Sequence, residues 1–121
     1  RQQKKLAGTG EIGDMLSHRL DFGRHLIGEF KRLVAHLVNH TPVRGGAPND
    51  TDDWVGLLGE FVNGTTAFME SSKLASGVNE SWRSPDRVEI NGSKASFSFT
   101  TGCWNALQYG ELGGPGMKEL P

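Results

Sequence analysis

Trp54 to Val62 (WVGLLGEFV) and Thr65 to Ser72 (TTAFMESS), with Asn63-Gly64 between them, decide the fold of this chain. An Asn-Gly pair between two apolar, β-branched runs is the strongest short-range hairpin signal, because both residues tolerate the positive φ values of a tight turn. The two runs are therefore expected to pair antiparallel. In the first run, period-two alternation sends Val55, Leu57 and Phe61 to one side and Trp54, Leu58 and Val62 to the other. Both faces of this strand need cover.

Working outward, Arg32 to His40 (RLVAHLVNH) is a β-branched run ended by Thr41-Pro42 and reads as a strand, followed by a loop of about ten residues. Downstream, Lys73 to Asp86 (KLASGVNESWRSPD) is polar, punctuated by glycine and proline, and reads as a long connection without signature chemistry. Arg87 to Ile90 and Ala95 to Thr100 then flank Asn91-Gly92-Ser93-Lys94 as a second hairpin, with Val88 and Ile90 sharing one side and Phe97 and Phe99 likewise. Trp104 to Gly110 supplies the last expected strand, and the tail from Leu112 to Pro121 is expected to close no element.

Ahead of the strands, Ile12, Met15, Leu16, Leu20, Leu26 and Ile27 fall close to one helical face, and Gly28 is placed to cap the helix end. One helix followed by about five strands, mostly joined by hairpins, implies an α+β fold: an open, mostly antiparallel sheet with the helix packed on one face. Residues 1–121 are read as a single domain. The helix covers one sheet face, so the other is expected to meet a second domain or a twin subunit, the alternative being an exposed sheet with scattered apolar residues.

A formal charge of −1 with interspersed signs gives no basic patch for nucleic acid and no acidic tract. No apolar run approaches the ~18 residues of a membrane span, and no secretory signal is visible. Cys103 is the only cysteine, which leaves no intramolecular disulfide and no multi-thiolate zinc site, fits a reducing compartment and points to the cytoplasm. No activating base lies near Cys103 in sequence, so it is read as buried filler. Five asparagines, at 39, 49, 63, 79 and 91, sit in N-x-Ser/Thr patterns that turn chemistry largely explains. With no initiator methionine, the chain reads as a piece of a longer protein.

Gly8, Gly10 and Gly13 match the spacing of a dinucleotide-binding turn, but the preceding Arg1 to Ala7 is charged and cannot form the buried strand that such a turn requires. A glycine-rich loop entering the helix is the better reading. Along that helix Asp14, His18, Asp21 and His25 lie at offsets of zero, four, seven and eleven, forming a polar stripe. Histidine beside carboxylate is the pairing used in general acid/base chemistry; the competing explanation is a solvated face with ordinary intrahelical pairs. A metal site is disfavoured, because four ligands from one short helix cannot converge on one ion.

Several stretches together resemble the C-terminal domain of the Gfo/Idh/MocA oxidoreductases, which include glucose–fructose oxidoreductase and inositol dehydrogenases. They are Gly10 to Asp21 with Leu26-Ile27-Gly28, Asp52-Asp53-Trp54 heading a strand, Phe61-Val62-Asn63-Gly64 at the hairpin, and Glu89 to Phe97. The resemblance implies a dihydrodipicolinate-reductase-like C-terminal domain whose open sheet serves homo-oligomerisation. It also implies a separate N-terminal Rossmann domain, outside this chain, that holds NAD or NADP. By the same resemblance His18 corresponds to the residue exchanging a proton with a reacting hydroxyl and Asp14 to its companion, while Asp21 is structural. The implied substrate is a sugar, polyol or related small molecule. Two departures stand out: Leu16 replaces a usually small residue, and the family's Rossmann-domain lysine is not in this chain, which alone is not expected to turn over. The alternative is a non-catalytic dimerisation or binding module of a related protein.

Overall fold

The computed structural model describes residues 10–74, 87–100 and 107–120, which fall into two compact units, Arg1–Leu74 and Ala75–Pro121. The described part of the first opens on a π-turn, Ile12–Leu16, that runs directly into helix α1, Ser17–Leu26. The Ser17 N–H reaches back to the Ile12 carbonyl, which is the wide spacing of a π-turn. Gly28 follows the helix end at φ 125°, a conformation that favours glycine.

Leu16 is fully buried and Ile12 and Leu20 pack beside it, whereas Met15 and Leu26, expected on the same face, are exposed. The π-turn takes an extra residue into one turn, so positions 12, 16 and 20 line up on the sheet and Met15 swings off it. Leu16, the departure from the family's small residue, is thus the centre of the helix–sheet contact.

The strand expected near Arg32 is β1, Phe30–Val38. The loop expected after it contains a miniature hairpin, β2 (Val43–Arg44) against β3 (Ala47–Pro48). It turns on Gly45 and Gly46, whose φ values of 59° and 78° are the consecutive positive angles of a tight hairpin turn. β4 (Trp54–Phe61) and β5 (Thr66–Ser72) then form the expected hairpin, and the sheet order is β1-β4-β5, antiparallel throughout. The Asn63 amide secures this turn by accepting the Thr65 N–H and donating to the Ile27 carbonyl at the end of α1.

β4 divides its side chains as its alternation predicts. Val55, Leu57 and Phe61 are buried on the helix side, and Phe61 stacks on Phe30 with ring centroids 4.2 Å apart. On the other side Leu58 is exposed.

In the second unit β6 (Arg87–Asn91), β7 (Ala95–Thr100), β8 (Leu107–Glu111) and β9 (Lys118–Glu119) make an antiparallel sheet in chain order. Val88 pairs with Phe99 and Ile90 with Phe97, as the second hairpin requires, and Phe97 packs on Tyr109. The tail, expected to close no element, instead returns through a glycine-rich turn so that β9 pairs with β8. A free strand edge recruits it, since two residues carry no periodic signal of their own. Cys103, Trp104 and the connection from 75 to 86 lie outside the described residues.

One buried carboxylate fixes the route between β1 and β4. Asp53 accepts the His40 N–H on Oδ1 and the Thr41 N–H on Oδ2, each at 2.9 Å, with Arg44 4.0 Å away. Burial pushes its pKa up, but the hydrogen bonds from His40 and Thr41 outweigh this and hold it below the usual carboxylate value. A depressed folded-state value means stability that is fully present above the unfolded value, about 3.9, and is lost as pH falls through the folded one. Asp53→Asn is accordingly expected to cost about 1–3 kcal/mol at neutral pH, with the deficit shrinking in strong acid, as urea titrations of both proteins at the two conditions will measure.

Candidate active site

The helix entry is held by Asp52, a buried residue just ahead of β4. Its Oδ2 accepts the Ile12 N–H at 2.9 Å and its backbone carbonyl accepts the Glu11 N–H at 3.1 Å. A helix start has unpaired N–H groups and partial positive charge, so a carboxylate fits there. Gly10 is what allows the approach: a Cβ at that position would lie 1.9 Å from Asp52 Oδ1. The place where a dinucleotide pyrophosphate would sit is therefore filled by the chain's own carboxylate, and the residues here do not fit that group. Gly8 lies outside the described residues.

Inside this entry four polar side chains converge. Glu11 is buried, and the Ser71 hydroxyl donates to its Oε1. Lys73, just past β5, places Nζ 3.6 Å from Glu11 Oε2 and donates to Asp14 Oδ2 at 2.8 Å. Lys73 is fixed at its backbone too, where its N–H bonds the Asp53 carbonyl. Two carboxylates thus share one ammonium at the junction of helix and sheet.

His18 lies in the first turn of α1, one turn beyond Asp14, and is exposed. Among the described residues no hydrogen bond or ion pair joins any two of Asp14, His18, Asp21 and His25, while Asp21 acts electrostatically on Arg24 three residues along the helix. Asp14 is held by the sheet instead, and Asp21 and His25 continue along the exposed side of α1. Glu11, Ser71 and Lys73 escaped the sequence reading. Strand parity could have found two of them: positions 67, 69, 71 and 73 alternate onto the helix side of β5. Among the described residues no group of three or more His, Cys, Asp or Glu could hold a metal ion, and no helix is long and apolar enough to cross a membrane.

The fold and this site define an α+β domain that presents a charged cluster where a helix enters an antiparallel sheet. Residues 1–98 match the model of the GFO/IDH/MocA C-terminal domain, and the chain belongs to that family. The levoglucosan dehydrogenase of Pseudarthrobacter phenanthrenivorans is 33% identical over 117 residues, covering 82% of this chain and 29% of that protein. A structure of levoglucosan dehydrogenase in complex with NADH and levoglucosan matches with a TM-score of 0.85 at 30% identity, over 94% of this chain and 31% of that one. An oxidoreductase domain protein from Kribbella flavida matches with a TM-score of 0.82 at 25% identity, over 94% and 32%. The chain spans less than a third of the length of these relatives.

The steric link between Gly10 and Asp52 is open to a double-mutant cycle. Gly10→Ala is expected to destabilise the domain by about 1–3 kcal/mol, and Asp52→Ala should relieve part of that penalty, so that the pair costs less than the sum of the single changes. Strictly additive losses in chemical denaturation would remove the link.

Proposed function

We propose that this chain is the substrate-side domain of an NAD- or NADP-dependent oxidoreductase that moves a hydride between nicotinamide and a hydroxyl-bearing carbon of a sugar, polyol or related compound. His18 exchanges the hydroxyl proton and Asp14 orients the substrate beside it. The observation that carries this reading is the pair itself. Asp14 and His18 stand one turn apart on the exposed side of the helix, the aspartate tethered to the sheet and the imidazole unengaged by any described residue. A carbinol carbon can release hydride only as its hydroxyl proton leaves, and an unengaged imidazole can receive that proton. The likeness to levoglucosan dehydrogenase, one structure of which is a complex with NADH and levoglucosan, supports the cofactor and substrate class. The nucleotide, which supplies the hydride acceptor, is brought by a Rossmann domain outside this chain, so the chain alone does not turn over. The single cysteine of this chain, Cys103, allows no disulfide within it, which suits the cytoplasm.

The same reading assigns the outer sheet face to a second copy of the protein. Val34, Leu58 and Phe68 are cross-strand partners and are 68%, 61% and 66% exposed. Around this apolar row Arg32 pairs with Glu60, and the Trp54 indole N–H donates to Glu70, so the neighbouring charges are already engaged and a self-complementary contact meets little repulsion.

In the intact parent, His18→Ala and Asp14→Ala are each expected to lower kcat by about 10²- to 10⁴-fold with the fold retained; unchanged turnover in both sinks the assignment. Leu58→Glu with Phe68→Glu is expected to convert the assembly to monomers in sedimentation analysis, and an unaltered oligomer would place the interface elsewhere.

A further inference from the structure

The groups behind Asp14 are ordered by depth. The Glu11 side chain is 1% exposed, that of Lys73 24% and that of Asp14 50%. From inside outward, the Ser71 hydroxyl bonds Glu11 Oε1, Glu11 Oε2 faces Lys73 Nζ at 3.6 Å, and Nζ bonds Asp14 Oδ2 at 2.8 Å. Glu11 Oε2 has no hydrogen-bond partner among the described residues, so the ammonium is its compensation. Asp14 Oδ1, at the outer end, takes no hydrogen bond from a described residue.

Taking the Glu11 carboxylate out of water costs more than burying an apolar side chain would, the positive helix start returns only part of that cost, and the ion pair to a half-exposed aspartate adds little to stability. The arrangement is thus not chiefly a stabilising one. Its consequence is geometric. Lys73 is fixed at its backbone by Asp53 and at its ammonium by Glu11, so it cannot follow the motions of an exposed side chain.

We propose that Lys73, braced by Glu11, is a positioning residue: it grips one oxygen of Asp14 and leaves the other turned toward the substrate hydroxyl. The inference rests on the reading of Asp14 and His18 as the substrate-side pair. An unbraced aspartate would have to lose its rotamer freedom as substrate binds, whereas here folding has already fixed it.

The test uses the intact parent with NAD and NADP, on the compound it oxidises fastest in a panel of sugars and polyols headed by levoglucosan. Lys73→Met combined with Glu11→Gln removes both charges and strands neither, and circular dichroism with a melting curve checks that each variant is folded. This pair is expected to lower kcat by about ten- to a hundred-fold with KM moving much less, and Lys73→Arg, which keeps the cation, is expected to recover most of the loss. Unchanged kcat in the uncharged pair overturns the proposal, as does an arginine variant no better than that pair. His18→Ala run alongside separates the two levels. If it leaves turnover intact, or if the unsubstituted parent turns over nothing in the panel, the underlying reading fails. If it abolishes turnover while the Lys73 variants match the unsubstituted enzyme, only the positioning role fails.

Discussion

The carboxylate of Asp52 lodged in the first turn of the helix is the contact on which the site depends. It accepts the Ile12 N–H while its backbone carbonyl takes the Glu11 N–H, so a residue at the head of β4 decides where the helix begins. A helix terminus attracts negative charge, and an internal carboxylate there needs no water or ligand to complete it. Asp53, the next residue, receives the Lys73 N–H on its carbonyl and the His40 and Thr41 N–H groups on its side chain. Two adjacent acids thereby tie together the helix entry, the exit from β1 and the end of β5. Glu11, Asp14 and Lys73 meet because their backbones are held at one junction.

The π-turn reconciles two demands on the same short stretch. The apolar residues must face the sheet, and the polar ones must reach its edge. A regular α-helix rotates positions four apart gradually round its axis; one wide turn cancels that drift, aligning Ile12, Leu16 and Leu20 over Val55 and Leu57. The distortion is confined to Ile12–Leu16, the stretch that contains Asp14, and Leu16 fills the contact beneath it. A small residue at position 16 would leave that space to be filled from elsewhere.

The hairpins, the alternation of β4 and the existence of the helix were legible because each is written in neighbouring residues. Asn63-Gly64 sets a turn, and Val55, Leu57 and Phe61 set a face. The β2–β3 hairpin was legible too, in Gly45-Gly46, but it was masked by a surrounding run of turn-forming residues. β9 was not legible, since Lys118–Glu119 becomes a strand only because β8 offers an edge. The site divides in the same way. Asp14 and His18 share a helix, so their spacing put them on one polar stripe with Asp21 and His25, and the family resemblance singled out the pair and implied its roles. Glu11 and Lys73 belong to contacts spanning some sixty positions, such as Ser71 to Glu11 and Lys73 to Asp14, which form only once β5 has paired with β4.

That pairing makes β4 the element through which both sides of the first unit act on each other. Its inner residues seat the helix, the acids just ahead of it hold the cluster, and on its outer side Leu58 sits between exposed apolar neighbours, Val34 on β1 and Phe68 on β5. A strand exposed on one face retains more freedom than one packed on both. Cover on the outer face by a second subunit would restrict the strand that carries Asp52 and Asp53 at its head. The proposed assembly and the proposed site therefore place their requirements on one strand, and the alternation of Trp54 to Phe61 is what allows that strand to meet both.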